Sequence, residues 1–201
     1  MSLILDGTNG LTFNNATTQA SAGLTAASPT IASGVLTYPN GATNGGYING
    51  GTAVASTSGT SIDFTGIPSW VKRITVMFNK VSTNGTAGFA LQLGTSSGVE
   101  TTGYTATGSY AGPTNAAGGS TSTTSFITFT IAAANLHSGH FVFTLVGSNI
   151  WVCSYTTVTD SSYMYVGGGS KTTSGTLDRV RITTVNGTDT FDAGSINIIY
   201  E

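Results

Sequence analysis

After Thr60 apolar residues fall on every second position, and this alternation constrains the fold more than any other feature of the chain. In "SIDF" the apolar pair is Ile62 and Phe64; in "VKRITVMF" it continues as Ile74, Val76 and Phe78. A period of two describes a strand with one buried face, whereas a helix needs apolar residues three or four apart. The "TGIPSW" between them contains a proline, which cannot donate to a central ladder, and is expected to be a turn with Trp70 at the edge of the core. Further strands are predicted at 89–93, 103–110, 125–131, 140–147, 150–155, 163–166, 177–184 and 194–200. About ten strands separated by polar turns predict an all-β fold, an antiparallel β-sandwich of jelly-roll-like type. Only "AAANLHSGH" offers a single helical turn.

The surface chemistry agrees with strands and turns. In 201 residues there are only six Lys or Arg and eight Asp or Glu, against 28 glycines and abundant Thr, Ser and Asn. Helix surfaces are ordinarily charged; a coat of hydroxyls and amides suits β-structure. A net charge of -2 leaves no basic footprint for phosphate neutralisation, so nucleic acid is not an expected partner. The start, "MSLILDGTNG", has no basic segment and an apolar run of three, too short for a signal peptide or membrane insertion. Synthesis in a host cytoplasm is expected. Cys153, the single cysteine, stands in "NIWVCSY" and is expected to be a buried, inert thiol.

Three parts are expected: residues 1–24, a polar leader; 25–59, a Gly/Asn/Ser-rich linker or extended arm; and 60–201, the sandwich. The leader "LTFNNATTQASAGL" is too poor in apolar side chains to fold alone. A short polar strand gains stability by adding its backbone hydrogen bonds to another sheet, which would make the leader an attachment segment.

"GTNGLTFNNATTQASA" resembles a short motif of bacteriophage fibre and appendage proteins, in which Gly-(Leu/Ile)-Thr-Phe leads through a turn into Thr-Thr-Gln-x-x-Ala. Here Asn14-Asn15-Ala16 stands where that family usually has Asp-Gly. The block "DFTGIPSWVKRITVMFNKVSTNGT", continued by "LQLGTSSGVETTGY", is similar to a β-sandwich domain of phage virion proteins, and "DTFDAGSINIIYE" to its final strand. The resemblance spans roughly residues 3–24 and 60–201. It implies a virion setting, attachment to other virion proteins through the leader at Leu11, Phe13 and Gln19, and a homotrimer, since such fibres assemble about a threefold axis.

Side chains that could carry chemistry are few. His137 and His140 in "HSGH" would share a metal only on one helical turn with a third ligand, and no Cys, Asp or Glu is near in sequence. In "LDRVRITT" alternation puts Arg179 and Arg181 on a solvated face, opposite Val180 and Ile182. Glu100, Asp189 and Asp192 are scattered, with no sign of the paired carboxylates, roughly 5–9.5 Å apart, that cleave glycosides. "NGGYINGG" and "VGGGSK" lack the strand, turn and helix order of a phosphate cradle and read as loops. Trp151 with Tyr155, and Tyr163 with Tyr165, share strand faces; core packing is the leading role for them, stacking on sugars the alternative.

The expected protein is therefore a non-enzymatic virion component without cofactor or metal, a tail fibre or tail-tip protein contacting the host surface. A capsid decoration protein or head fibre is the alternative, and a small glycan-cleaving enzyme using Glu100 or Asp192 the third reading. Receptor contact is expected in the polar stretches "GSYAGPTNAAGGSTSTTS" and "TTVTDSSYMYVGGGSKTTSG", through Tyr110, Tyr163 and Tyr165. Their hydroxyls and amides suit a host surface glycan.

Overall fold

The computed structural model describes residues 48–130, 132, 133 and 135–201, together with five short strands within the first 47. Two compact units divide at Asn49 and Gly50. In the first, β1 (Ile4–Asp6), β2 (Gly10–Thr12) and β3 (Thr18–Gln19) form a three-stranded antiparallel sheet, and β4 (Thr30–Ala32) pairs with β5 (Val35–Thr37). Leu11 is in register with both Leu5 and Gln19, so two of the three predicted attachment residues share one row of this sheet. Phe13 lies outside the described residues.

The second unit is a two-sheet antiparallel sandwich. Its strands are β6 (Asn49–Gly50), β7 (Val54–Ala55), β8 (Ser61–Thr65), β9 (Arg73–Thr83), β10 (Phe89–Thr95), β11 (Gly98–Val99) and β12 (Tyr104–Ala111). They continue as β13 (Ala117–Ser122), β14 (Phe126–Ile127), β15 (His137–Gly147), β16 (Ile150–Thr159), β17 (Met164–Thr172), β18 (Arg179–Thr184) and β19 (Phe191–Tyr200). The larger sheet runs β13-β12-β17-β16-β15-β9-β19-β6, with β7 also on β19; the smaller runs β11-β10-β18-β8, with β14 on β10. Consecutive strands β9 and β10 pair with β19 and β18 in opposite sheets, the wrapped double strand of a jelly roll. Between them β15, β16 and β17 form a plain meander inside the larger sheet.

The alternation read from sequence is the burial pattern. On β16 every second residue is buried, from Trp151 through Cys153, Tyr155 and Thr157 to Thr159. Ile62, Val76, Phe78, Phe89, Leu91, Val180 and Ile182 face the same core, where each fully buried large side chain contributes about 1.5–3 kcal/mol. Phe89 is central: its ring centroid lies 5.3 Å from Phe78, 5.0 Å from His137 and 6.1 Å from Phe191. Cys153 is buried, and burial pushes its thiol well above the usual range, as expected of an inert residue. Trp70 packs on Tyr200 at the core's edge, centroids 5.9 Å apart.

Four local expectations are corrected. "VGGGSK" is no loop but the middle of β17, and the reason is steric. Tyr155, Gly167 and Gly108 occupy one row across three strands, and a Cβ at either glycine would meet the Tyr155 ring or hydroxyl. The two bare backbones let the tyrosine lie across them and donate its hydroxyl to the Ile127 carbonyl at 2.6 Å. The long polar stretches proposed as recognition loops are mostly hairpin: β12 and β13 close around a tight turn at Pro113–Asn115, and β16 and β17 around residues 160–163. "LHSGH" opens β15 rather than turning as a helix, with a bulge between His137 and Gly139. Finally, the chain joins the larger sheet before residue 60, through β6 and β7 beside β19, where Gly51 donates to Ile198 and Ser56 to Gly194. No helix among the described residues is long and apolar enough to cross a membrane.

Candidate functional site

The ladder registers bring Tyr110, Tyr163 and Tyr165 together at one end of the larger sheet. Tyr110 on β12 is directly opposite Tyr165 on β17. Their centroids are 6.1 Å apart; Tyr163 lies 6.1 Å from Tyr110 and 6.4 Å from Tyr165, and Phe129 closes the group at 5.4 Å from Tyr110. Two glycines admit the rings: a Cβ at Gly112 would strike Tyr163, and one at Gly118 would strike Tyr110. Tyr165 is fully buried and has no ring face to offer a ligand. Tyr110 and Tyr163 are half-buried, so a stacking surface is left at these two alone.

Tyr163 is held by local chemistry. Its backbone N–H donates to the Thr159 hydroxyl at 3.2 Å, and its carbonyl accepts from the Thr159 N–H at 2.9 Å. Ser162, at φ 66°, is in the left-handed region that closes this turn. The result is a rigid hairpin tip carrying a half-exposed aromatic ring.

Acidic groups are engaged in structural contacts. Glu100 meets Lys171 at 2.6 Å, and its other oxygen accepts from the Ser174 N–H and hydroxyl at 2.8 and 2.7 Å. Burial opposes the charge on Glu100, but these hydrogen bonds outweigh it and hold the carboxyl below its ordinary value. Asp63 takes a two-pronged contact from Arg181, at 2.7 and 2.6 Å. Asp178 pairs with Arg179 at 2.8 Å, Asp189 accepts from Ala87 and Asn186, and Asp192 from Ser82. Arg179 and Arg181 do share the solvated face of β18, opposite Val180 and Ile182.

His137 and His140 point to opposite faces of β15, so they cannot share a metal. His137 is fully buried; burial pushes it down to about 4, with Asp160 opposing, and Thr130 is its partner at 3.3 Å. Among the described residues no three His, Cys, Asp or Glu side chains cluster as metal ligands.

A second concave feature was not foreseen from the sequence. At the opposite end of the larger sheet the β8–β9, β15–β16 and β17–β18 connections enclose a cavity of about 240 Å³, with Trp151 in its wall. Trp151 is only 3% exposed, yet its indole N–H has no hydrogen-bond partner among the described residues. The nine residue steps of β16 place this cavity about 30 Å from the tyrosine end. Alternation marks Trp151 as inward-facing, but only the converging connections reveal that the core opens beside it.

These features define the class: an antiparallel β-sandwich with four ion pairs among the described residues, an aromatic hairpin tip at one end and a small cavity at the other. No family model, curated protein or solved structure matches the chain.

Proposed function

We propose that the protein is a non-enzymatic bacteriophage virion component, a tail fibre or tail-tip protein that touches the host surface with an end of its sandwich. The observation carrying this reading is the hairpin tip, where half-exposed Tyr110 and Tyr163 are held by glycine seats and a pinned turn. A rigid scaffold with aromatic rings at its tips suits surface recognition, because little side-chain freedom is lost on contact. Supporting it, the carboxylates Glu100, Asp63 and Asp178 are tied to Lys or Arg, and Asp192 to Ser82. In this reading the leader joins the protein to other virion proteins, and three copies assemble about a common axis.

The test is electron microscopy of intact particles with the protein labelled. Density on the tail supports the proposal, and density on capsomers overturns it in favour of a decoration or head-fibre role. Tyr163→Ala, with unchanged melting, is expected to weaken adsorption to host cells; adsorption at wild-type strength would remove this ring from the contact.

A further inference from the structure

We infer that the outer face of the larger sheet is the surface through which copies of this chain join, each copy's face being covered by another copy. The ladders define that face. One outward row crosses seven strands from Thr121 through Gly168 and Ser154 to Thr75 and Ile199, and the next runs from Gly119 through Val166 and His140 to Met77 and Asn197. Neither row contains a Lys, Arg, Asp or Glu. A third, through Ser170, Val152 and Thr144, meets charge only at Arg73, which is paired with Glu201 at 3.1 Å.

The outer face of the smaller sheet is built differently. It carries Asp63, Arg179 and Arg181, the charges expected of strands that face water. On the larger sheet, Ile150, Val152 and Val158 of β16 and Met164, opposite Val158 on β17, are 38% to 49% exposed. These four are half of the eight large hydrophobic side chains exposed among the described residues, and they stand on one face. Loss of charge together with exposed apolar side chains is the composition of an interface core.

The same face also fits a copy of itself. Its one ion pair is internally neutral, so two such faces meet without opposing like charges, whereas a partner with a charged surface would bury those charges unpaired. Its relief is complementary as well. Gly168 has no side chain between Ser154 and Thr107, and Thr105, Thr107, Thr121 and Thr123 wall a shallow, mostly apolar trough there. The valines of β16 stand on the same face, so one copy supplies the apolar side chains and another the recess. Seven strands at about 4.8 Å and ten residues at about 3.3 Å give a face of roughly 900 Å². That is close to the ~800 Å² that one partner contributes to a stable interface. Thr, Val and Ser have few rotamers to lose when such a face is covered.

The inference deepens the assembly part of the proposed function and rests on it for the number of copies. In a three-copy assembly each face meets two neighbours, its valines seated on one and its trough filled by the other.

The experiment is analytical ultracentrifugation of the purified full-length protein over a dilution series, with Val152→Lys, Thr107→Lys and, on the outer face of the smaller sheet, Ser61→Lys. The wild type is expected to be oligomeric. Val152→Lys and Thr107→Lys should each weaken association by on the order of a hundredfold with unchanged circular dichroism, because each puts an unpaired charge into the contact. Ser61→Lys should associate like the wild type. If Val152→Lys fails to fold, Thr107→Lys decides. Both face variants associating as tightly as the wild type would overturn this surface and leave self-assembly standing. Equal weakening by Ser61→Lys would also overturn it, since added charge and not its position would then be the cause. A wild type that is monomeric at every concentration would overturn the inference and the three-copy reading together. Microscopy that moved the protein from the tail to capsomers would change its location and leave this face to the same measurement.

Discussion

Replacing Lys171 by Met should destabilise the sandwich by about 3 kcal/mol at neutral pH, and the loss should shrink in acid. Lys171 is 6% exposed at its side chain and Glu100 18%, so the pair is held largely out of water at 2.6 Å. The ammonium also donates to the Thr172 carbonyl at 2.8 Å and lies 5.4 Å from the Tyr104 ring centroid. Methionine keeps the length of the stem and deletes the charge, leaving Glu100 with its Ser174 contacts and no counter-ion. Removing one partner of a buried pair typically costs about 3–5 kcal/mol, and the partial exposure of Glu100 argues for the lower end. For a chain of this size that corresponds to a fall in Tm of roughly 6–12 °C. The pH dependence follows from the depressed carboxyl. Glu100 adds stability above its unfolded value near 4.5 and loses it as pH falls through the lower folded value. Without Lys171, burial dominates and raises that carboxyl, so acid relieves the variant sooner than the wild type. Calorimetry at pH 7 and about pH 3 measures the gap at both ends. A gap equally wide at the two pH values would refute the electrostatic account. The double variant Glu100→Gln/Lys171→Met should recover much of the loss, since it leaves no buried charge unpaired.

Gly167→Ala is expected to cost at least about 2 kcal/mol in denaturant melts, because its Cβ would meet the Thr107 carbonyl as well as the Tyr155 ring, and backbone cannot step aside. Tyr155→Phe should cost about 1–3 kcal/mol by leaving the Ile127 carbonyl without its donor, and a loss below about 0.5 would discount that bond. Buried His137 titrates near 4 instead of 6.5, so the fold is at full strength above 6.5 and loses stability as pH falls towards 4, by about 1.4 kcal/mol per pH unit. His137→Leu should flatten that part of a stability–pH curve, and an unchanged slope would assign the acid sensitivity elsewhere. A chain beginning at residue 50 should melt higher than one beginning at residue 60, which lacks Gly51 to Ile198 and the Ser56 hydroxyl bond to Ala193 at 2.7 Å; equal melting would return the boundary to Thr60.

The strands with apolar inward faces were legible because each carries its own signal: Ile74, Val76 and Phe78 announce β9 with no help from neighbours. β13 was hidden because "AGGSTS" buries none of its side chains and is a strand only through its pairing with β12. The glycines of β17 misled for the opposite reason. Their role is to make room for Tyr155, a residue on another strand, and no local pattern records that. The tyrosine cluster was half-legible: Tyr163 and Tyr165 are close in sequence, but Tyr110 joins them through a ladder register. That same register buries Tyr165. The cavity depends on three connections far apart in sequence, and no local pattern records where they converge.

Threonine and serine explain how so weakly charged a chain holds one structure and still leaves its ends free. Ser82, Thr83, Thr95, Thr159 and Thr184 are buried on strands, where a β-branched or small hydroxyl side chain fits the pleat and bonds to nearby backbone or side chains. The outward row is small and uncharged too: Thr75, Val142, Ser154, Gly168 and Thr107 lie side by side across five strands. Such a face specifies register poorly, because a slip of two residues would exchange like for like. Register must then come from the inner face, from features that fit in one alignment only. Tyr155 over Gly167 and Gly108 is one, and Lys171 reaching Glu100 is another. With the strands committed to holding alignment, variation without loss of the fold is confined to the turns, at the tyrosine tip and around the cavity. At the tyrosine tip those turns leave the half-exposed rings of Tyr110 and Tyr163 facing outward.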